Sequence, residues 1–275
     1  MRTEDGFILL ADADELGAYL ASAQVGRPIR RIQNHHTYIP GYAHFTGGNH
    51  FSLLRAMKRD HVVNRTWSDI GQSLTTFPDG TIAVCRPLAQ VPAAIKGANT
   101  GAIALEHVGW FDAGKDAMTD AHQAIIVQAN ALLCQRFQLT PSVDSIVYHH
   151  WYDLNTGKRT DGTGITKSCP GTAFFGGNTV AAAEAHFLPL VRQALQDRQG
   201  QPAPAALRPI GAGRVAATAL NVRDRPSAQG RVVDRLTRGD RVSWFAESSA
   251  YGSMAWLRID AATERWVAEP FIQRD

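Results

Sequence analysis

Three short segments concentrate side chains that bind metals: Asn34-His35-His36-Thr37, Tyr148-His149-His150-Trp151 and Lys167-Ser168-Cys169-Pro170-Gly171. Two imidazoles and a thiolate make a nitrogen–sulfur donor set that suits zinc, and three protein ligands leave a fourth tetrahedral position open. Zinc draws the pKa of a water in that position toward about 7, which makes hydroxide available at neutral pH. Spacing alone does not select one histidine of each pair, because neighbours along a strand face opposite ways. A His-His pair on its own is more often a surface pair or a satisfied one. Such chemistry also needs a base. Glu106 follows the apolar run Ala102-Ile103-Ala104-Leu105, where a carboxylate is costly unless paired or functional. Its alternative role is as partner to a buried arginine such as Arg86. Lys167, two residues before Cys169, is placed either to stabilise an oxyanion or simply to be solvated on its loop.

These groups need elements to carry them. Residues 7–24 read as a short strand, an Asp cap at Asp12 or Asp14, and a helix. Residues 29–39 and 145–151 read as strands ending in the two His pairs. Phe51, Leu54, Met57 and Val62 recur at helical spacing. Residues 70–85 form a hairpin about Pro78-Asp79-Gly80, and residues 100–109 a buried strand. An amphipathic helix begins at the Thr119/Asp120 cap. Residues 179–198 are helical, with Pro189 expected to kink them. Strands interleaved with helices indicate a mixed sheet covered by helices.

Composition divides the chain. All ten histidines precede residue 200, whereas residues 200–275 hold 11 Arg, no Lys and 8 acids. Gly200, Pro202, Pro204 and Pro209 break any helix between the two parts. The expected organisation is a first domain over 1–197, a linker over 198–212 and a second domain over 213–275. The last part reads as short strands separated by tight turns, a small all-β barrel. The net charge of +3 is too small for a nucleic-acid footprint without a clustered stripe. No run reaches the roughly 18 apolar residues of a membrane span. Acids flank the first apolar run, unlike a secretory signal, which implies synthesis in the cytoplasm. Three well-separated cysteines do not suggest a disulfide framework.

The ordered set His-His-Thr (35–37), Trp-Ser-Asp-Ile-Gly (67–71), Pro-Asp-Gly-Thr-Ile (78–82), Arg86-Pro87, Gly97 with Asn99, Ile103-Ala104-Leu105-Glu106, His149 and Lys-Ser-Cys-Pro-Gly (167–171) resembles the zinc-dependent N-acetylmuramoyl-L-alanine amidases of the amidase-2 and peptidoglycan-recognition-protein superfamily. The resemblance implies a central mixed sheet flanked by helices, with Zn2+ held by His35, His149 and Cys169. It implies Glu106 as base, Lys167 as an oxyanion-stabilising group and peptidoglycan as partner. The chain departs from the family pattern at Gln72 and Ser73, where many relatives carry a Tyr-His pair, and at Ala94, where a histidine is common. The loop between His149 and Cys169 is also longer. These departures bear on the substrate rim, for which no binding residues are assigned, and they shift weight onto Glu106. Residues 212–273 resemble a bacterial SH3-like domain, through Ala219-Leu220-Asn221-Val222-Arg223, Arg225-Pro226-Ser227, Leu236–Val242 and Arg265-Trp266-Val267. Trp244, Tyr251, Trp256 and Trp266 are its candidate wall-binding residues, or else its core. The expected activity is hydrolysis of the bond between N-acetylmuramic acid and L-alanine, on the cell wall after release or export. A non-catalytic peptidoglycan-recognition protein is the alternative. A lysis, secretion or immunity partner is left unassigned.

Overall fold

A computed structural model describes residues 1–199, 209–248, 254–260 and 265–275. A seven-stranded sheet dominates the first part: β1 (Arg2–Glu4), β2 (Phe7–Leu10), β3 (Arg31–His36), β4 (Leu74–Thr76), β5 (Ile82–Val84), β6 (Ala102–His107) and β7 (Ile146–Tyr148), in the order β1-β2-β5-β4-β6-β3-β7. The four strands β4, β6, β3 and β7 run parallel, while β1, β2 and β5 join antiparallel. The sheet is therefore mixed, as expected.

Helices cover both faces. On one face α1 (Ala13–Ser22), α3 (Asp120–Phe137) and α5 (Leu188–Gln199) pack over Ile32, Ile103, Leu105 and Ile146. On the other, α2 (His50–Arg59) sets Leu54 and Met57 against Phe7, Leu9 and Ala83. Caps define the starts: Asp12 accepts from the Asp14 and Glu15 amides, and Thr119 from that of His122. Each satisfies an amide that the helix itself cannot.

Four expectations change. α3 is not amphipathic: Ile125, Ala129, Leu132, Leu133 and Cys134 are all buried, because α3 is sandwiched between the sheet and both α1 and α5. Val62 is 38% exposed rather than core, because the helix widens by one residue per turn over Asp60–Asn64 and its apolar stripe rotates outward. Near Pro189 the irregularity is likewise a wide turn, Ala183–Phe187, between α4 (Val180–Ala182) and α5. Pro189 itself sits in the first turn of α5, where its missing N–H costs little. Finally, β7 ends at Tyr148, and His149-His150-Trp151 form a single tight turn.

The last part is all-β. β8 (Gly211–Val215), β11 (Arg241–Trp244) and β15 (Ile272–Arg274) form one sheet; β9 (Ala219–Arg223), β10 (Val232–Thr237), β12 (Ala246–Ser248), β13 (Trp256–Arg258) and β14 (Trp266–Ala268) form the other. Trp244, Trp256 and Trp266 are buried, which is the packing reading of the candidate aromatics. Tyr251 lies outside the described residues.

Candidate metal centre

Register places the chemistry in one row. Glu106 on β6 lies opposite His35 on β3 and Thr75 on β4. Tyr148 lies opposite Asn34, so His149 follows at the level of His35. Paired residues share a face, so His35, Glu106 and Thr75 point away from the α3 side.

Cys169 reaches this row from a loop fixed at several points. The His150 amide donates to the Cys169 carbonyl at 2.7 Å, and Asn178 Nδ2 to the Ser168 carbonyl at 2.7 Å. Ser168 Oγ donates to Asp112 at 3.0 Å. Gly171 has φ +123°, and a Cβ there would lie 2.3 Å from the Phe111 carbonyl oxygen. Only glycine lets the loop approach so closely.

The three donors converge. His149 Nδ1 lies 3.2 Å from His35 Nδ1, Cys169 Sγ lies 3.5 Å from the same nitrogen, and all three fall within 4.8 Å of one another. Zn–N near 2.05 Å and Zn–S near 2.3 Å at tetrahedral angles put N and N about 3.3 Å apart, and N and S about 3.6 Å apart. The two measured edges match those spacings. Burial lowers the His35 pKa well below its ordinary value and that of His149 to about 3, so both imidazoles are neutral, as ligands must be. Burial, then the Glu106 charge, push the Cys169 thiol up. Without a cation the thiol is protonated; a cation among these donors favours the thiolate. The donor set fits zinc.

The second histidine of each pair does other work. His36 Nδ1 accepts from the Phe111 amide at 3.2 Å, and burial lowers its pKa to about 4. His150 Nδ1–H donates to the Lys167 carbonyl at 2.7 Å.

The donors sit in a cavity of about 430 Å³ lined also by Glu106, Lys167, Tyr38, His61, Arg65 and Trp67. Among the described residues Glu106 is the only carboxylate that lines the cavity. Burial raises its pKa to about 8, against the opposing charge of Lys167. Arg86 is not its partner: the guanidinium bonds the carbonyls of Ile70, Val91 and Asp69. Lys167 is exposed and lines the cavity. Asp153 instead ties its own loop, accepting from Asn155, Thr156 and Ile165 amides, and Asp161 pairs with Arg159. Gln72 lines the cavity but turns its amide to Thr75 Oγ1.

Two features escaped the sequence reading. His61 stacks on Trp67 at 4.7 Å with Arg65 over the same ring, and the three wall the cavity; only the motif containing Trp67 hinted at this. Behind the ligand row runs a buried hydrogen-bond chain. Asn130 Nδ2 donates to the Ile126 carbonyl, which fixes its amide orientation, and also to Asn34 Oδ1. His107 Nε2–H donates to the same oxygen, so its Nδ1 accepts from Thr76 Oγ1–H. Thr76 in turn accepts from His122 Nε2–H, and Tyr42 O–H donates to His122 Nδ1. Each neutral imidazole has one donor and one acceptor, so a single direction runs through the whole chain. Histidines inside apolar segments were the available signal.

The profile of the N-acetylmuramoyl-L-alanine amidase family matches residues 25–172, over half of the chain, and that of the bacterial SH3 domain matches residues 218–273. No curated protein matches. Similar solved structures include the N-acetylmuramoyl-L-alanine amidase LysC from Clostridium intestinale URNW, at 21% identity over 55% of this chain and 82% of that one, TM-score 0.41. The endolysin amidase LysCS of the same organism is 22% identical over 55% and 80%, TM-score 0.39. Drosophila PGRP-LB is 18% identical over 60% and 83%, TM-score 0.43. Among the described residues no helix is long and apolar enough to cross a membrane.

Proposed function

The chain belongs to the N-acetylmuramoyl-L-alanine amidase family, and from that premise we propose that it is a zinc hydrolase cleaving the amide between the lactyl group of N-acetylmuramic acid and L-alanine. The observation that carries this reading is the convergence of His35 Nδ1, His149 Nδ1 and Cys169 Sγ on the cavity floor. These three residues would hold the ion. Zinc supplies Lewis-acid polarisation of the scissile carbonyl and lowers the pKa of water.

The chain's own groups do the rest. Glu106 carboxylate takes a proton from the attacking water as the new C–O bond forms at the carbonyl carbon. It returns that proton to the alanine nitrogen as the C–N bond breaks. Burial favours the protonated form that delivers the proton, while the charge of Lys167 works the other way and favours the ionised form needed to accept it, as would a cation held by the three donors. Lys167 also stabilises charge on the carbonyl oxygen. Walls formed by His61, Arg65 and Trp67 narrow access to the base. The SH3-like barrel holds the enzyme on the wall, where the amidase domain acts.

Metal analysis of purified protein tests this. Stoichiometric zinc is expected, together with hydrolysis that chelation abolishes and zinc restores. A chain that binds muropeptides without zinc and without turnover would instead be a recognition protein.

A further inference from the structure

The proposed substrate has a pyranose ring on one side of the scissile amide and a peptide on the other, so one wall of the cavity must meet a sugar. Among the described residues two aromatic side chains other than histidine line it, Tyr38 and Trp67. Trp67 is engaged already: His61 stacks on it at 4.7 Å with a 28° tilt, and the Arg65 guanidinium lies 5.7 Å from its centroid. Tyr38 is different. It is 48% exposed, and among the described residues its one ring contact is Trp110, at 4.4 Å between centroids and 59°.

Tyr38 is also built to stay where it is. Its φ is +62°, a conformation that a bulky residue rarely adopts and that clusters at functional positions. Its N–H donates to the Gly109 carbonyl at 3.0 Å, and the Gly109 N–H donates to Thr37 Oγ1 at 2.9 Å. The brace behind it is equally fixed. Trp110 Nε1–H donates to Asp112 at 2.7 Å, and Lys115 Nζ sits 4.1 Å from the centre of its ring. Asp112 also accepts from Ser168 Oγ at 3.0 Å, which joins this ledge to the loop bearing Lys167 and Cys169. Ile39, the next residue along the chain, is 65% exposed. The Arg65 cation stands on the segment leading into β4, the better place for an anionic peptide.

We propose that Tyr38, braced by Trp110, is the surface on which the sugar ring of the substrate packs. The axial C–H groups of a hexopyranose present an apolar face that matches an aromatic ring. This assignment rests on the amidase reading above for the identity of the sugar. It makes Tyr38 a specificity-determining residue that separates glycan-bearing substrates from free peptides.

The test measures binding rather than turnover. Calorimetric titrations use the full chain carrying Glu106→Gln, with N-acetylmuramoyl-L-alanyl-D-isoglutamine and with N-acetyl-L-alanyl-D-isoglutamine, which lacks the sugar. The ratio of the two affinities isolates the sugar's contribution. Tyr38→Ala is expected to lower that ratio about tenfold, the scale of a well-packed aromatic contact. Tyr38→Phe keeps the ring and keeps the ratio. An unchanged ratio in Tyr38→Ala overturns the proposal, and so does an equal fall in Tyr38→Phe or a wild-type ratio near unity. Failure of the amidase reading itself shows separately, as wild-type protein that leaves the muramoyl dipeptide uncleaved.

Discussion

Replacing Glu106 by glutamine should slow the enzyme and stabilise its metal-free form at the same time. The amide keeps the size and hydrogen-bonding capacity of the side chain but cannot take a proton from water. Among the described residues no other carboxylate lines the cavity, so none of them offers a substitute base. General-base catalysis contributes about 10²–10⁴-fold, and kcat should fall by that factor while KM holds. The stability effect has the opposite sign. Burial raises the Glu106 pKa from 4.5 to about 8, so between those pH values the folded chain keeps a proton that the unfolded chain has released. Folding stability of the wild type therefore falls as pH rises through that window. The full shift corresponds to at most about 5 kcal/mol, and water at the cavity mouth screens the carboxylate, leaving ~1–3 kcal/mol. Glutamine carries no such cost. Urea unfolding in chelator should show the variant and the wild type equally stable near pH 4.5, with the variant more stable by that margin above pH 8. Zinc content of the untreated variant should match wild type. A variant with near-normal kcat refutes Glu106 as the base, and one less stable at high pH refutes the burial argument.

Other perturbations separate the parts. His35→Ala, His149→Ala and Cys169→Ala should each lose zinc and activity, as should Cys169→Ser, since a hydroxyl is a poor zinc ligand; His36→Ala should keep zinc by metal analysis, and the reverse pattern would shift the ligand register by one. Thr76→Val removes the middle of the buried chain and strands His107 Nδ1 and His122 Nε2–H, so chemical denaturation should show a loss of about 2–4 kcal/mol. Deleting residues 200–275 should leave hydrolysis of soluble muropeptides within about threefold and lower activity on intact wall about tenfold or more, because tethering raises the local substrate concentration. Unfolding of the remaining residues would make the barrel a structural partner instead.

Much of this was legible in the sequence, and the misses have physical causes. Residue types and strand endings pointed to the two His pairs and Cys169, but the expectation that His35 and His149 are the ligands came from family resemblance. In the structure His35 Nδ1 lies beside both His149 Nδ1 and Cys169 Sγ, while His36 and His150 bond the Phe111 amide and the Lys167 carbonyl. Period misled for α3, since the sheet, α1 and α5 bury most of its circumference and part of what stays exposed is alanine, at Ala121 and Ala124. Val62 kept the helical spacing on paper, but the widened turn at Asp60–Asn64 rotates it outward. His107 and His122 gave no local sign of partnership, because Thr76, Asn34 and Tyr42 meet them only through tertiary packing.

The central claim is a bond, and mass spectrometry of the products from a defined N-acetylmuramoyl peptide tests it most directly. Cleavage at the lactyl–alanine amide predicts two masses, a stem peptide with a new free L-alanine amine and an N-acetylmuramic acid with a free lactyl carboxylate. Intact substrate after incubation with zinc-loaded protein, or fragments from a cut within the peptide or the glycan, would contradict it.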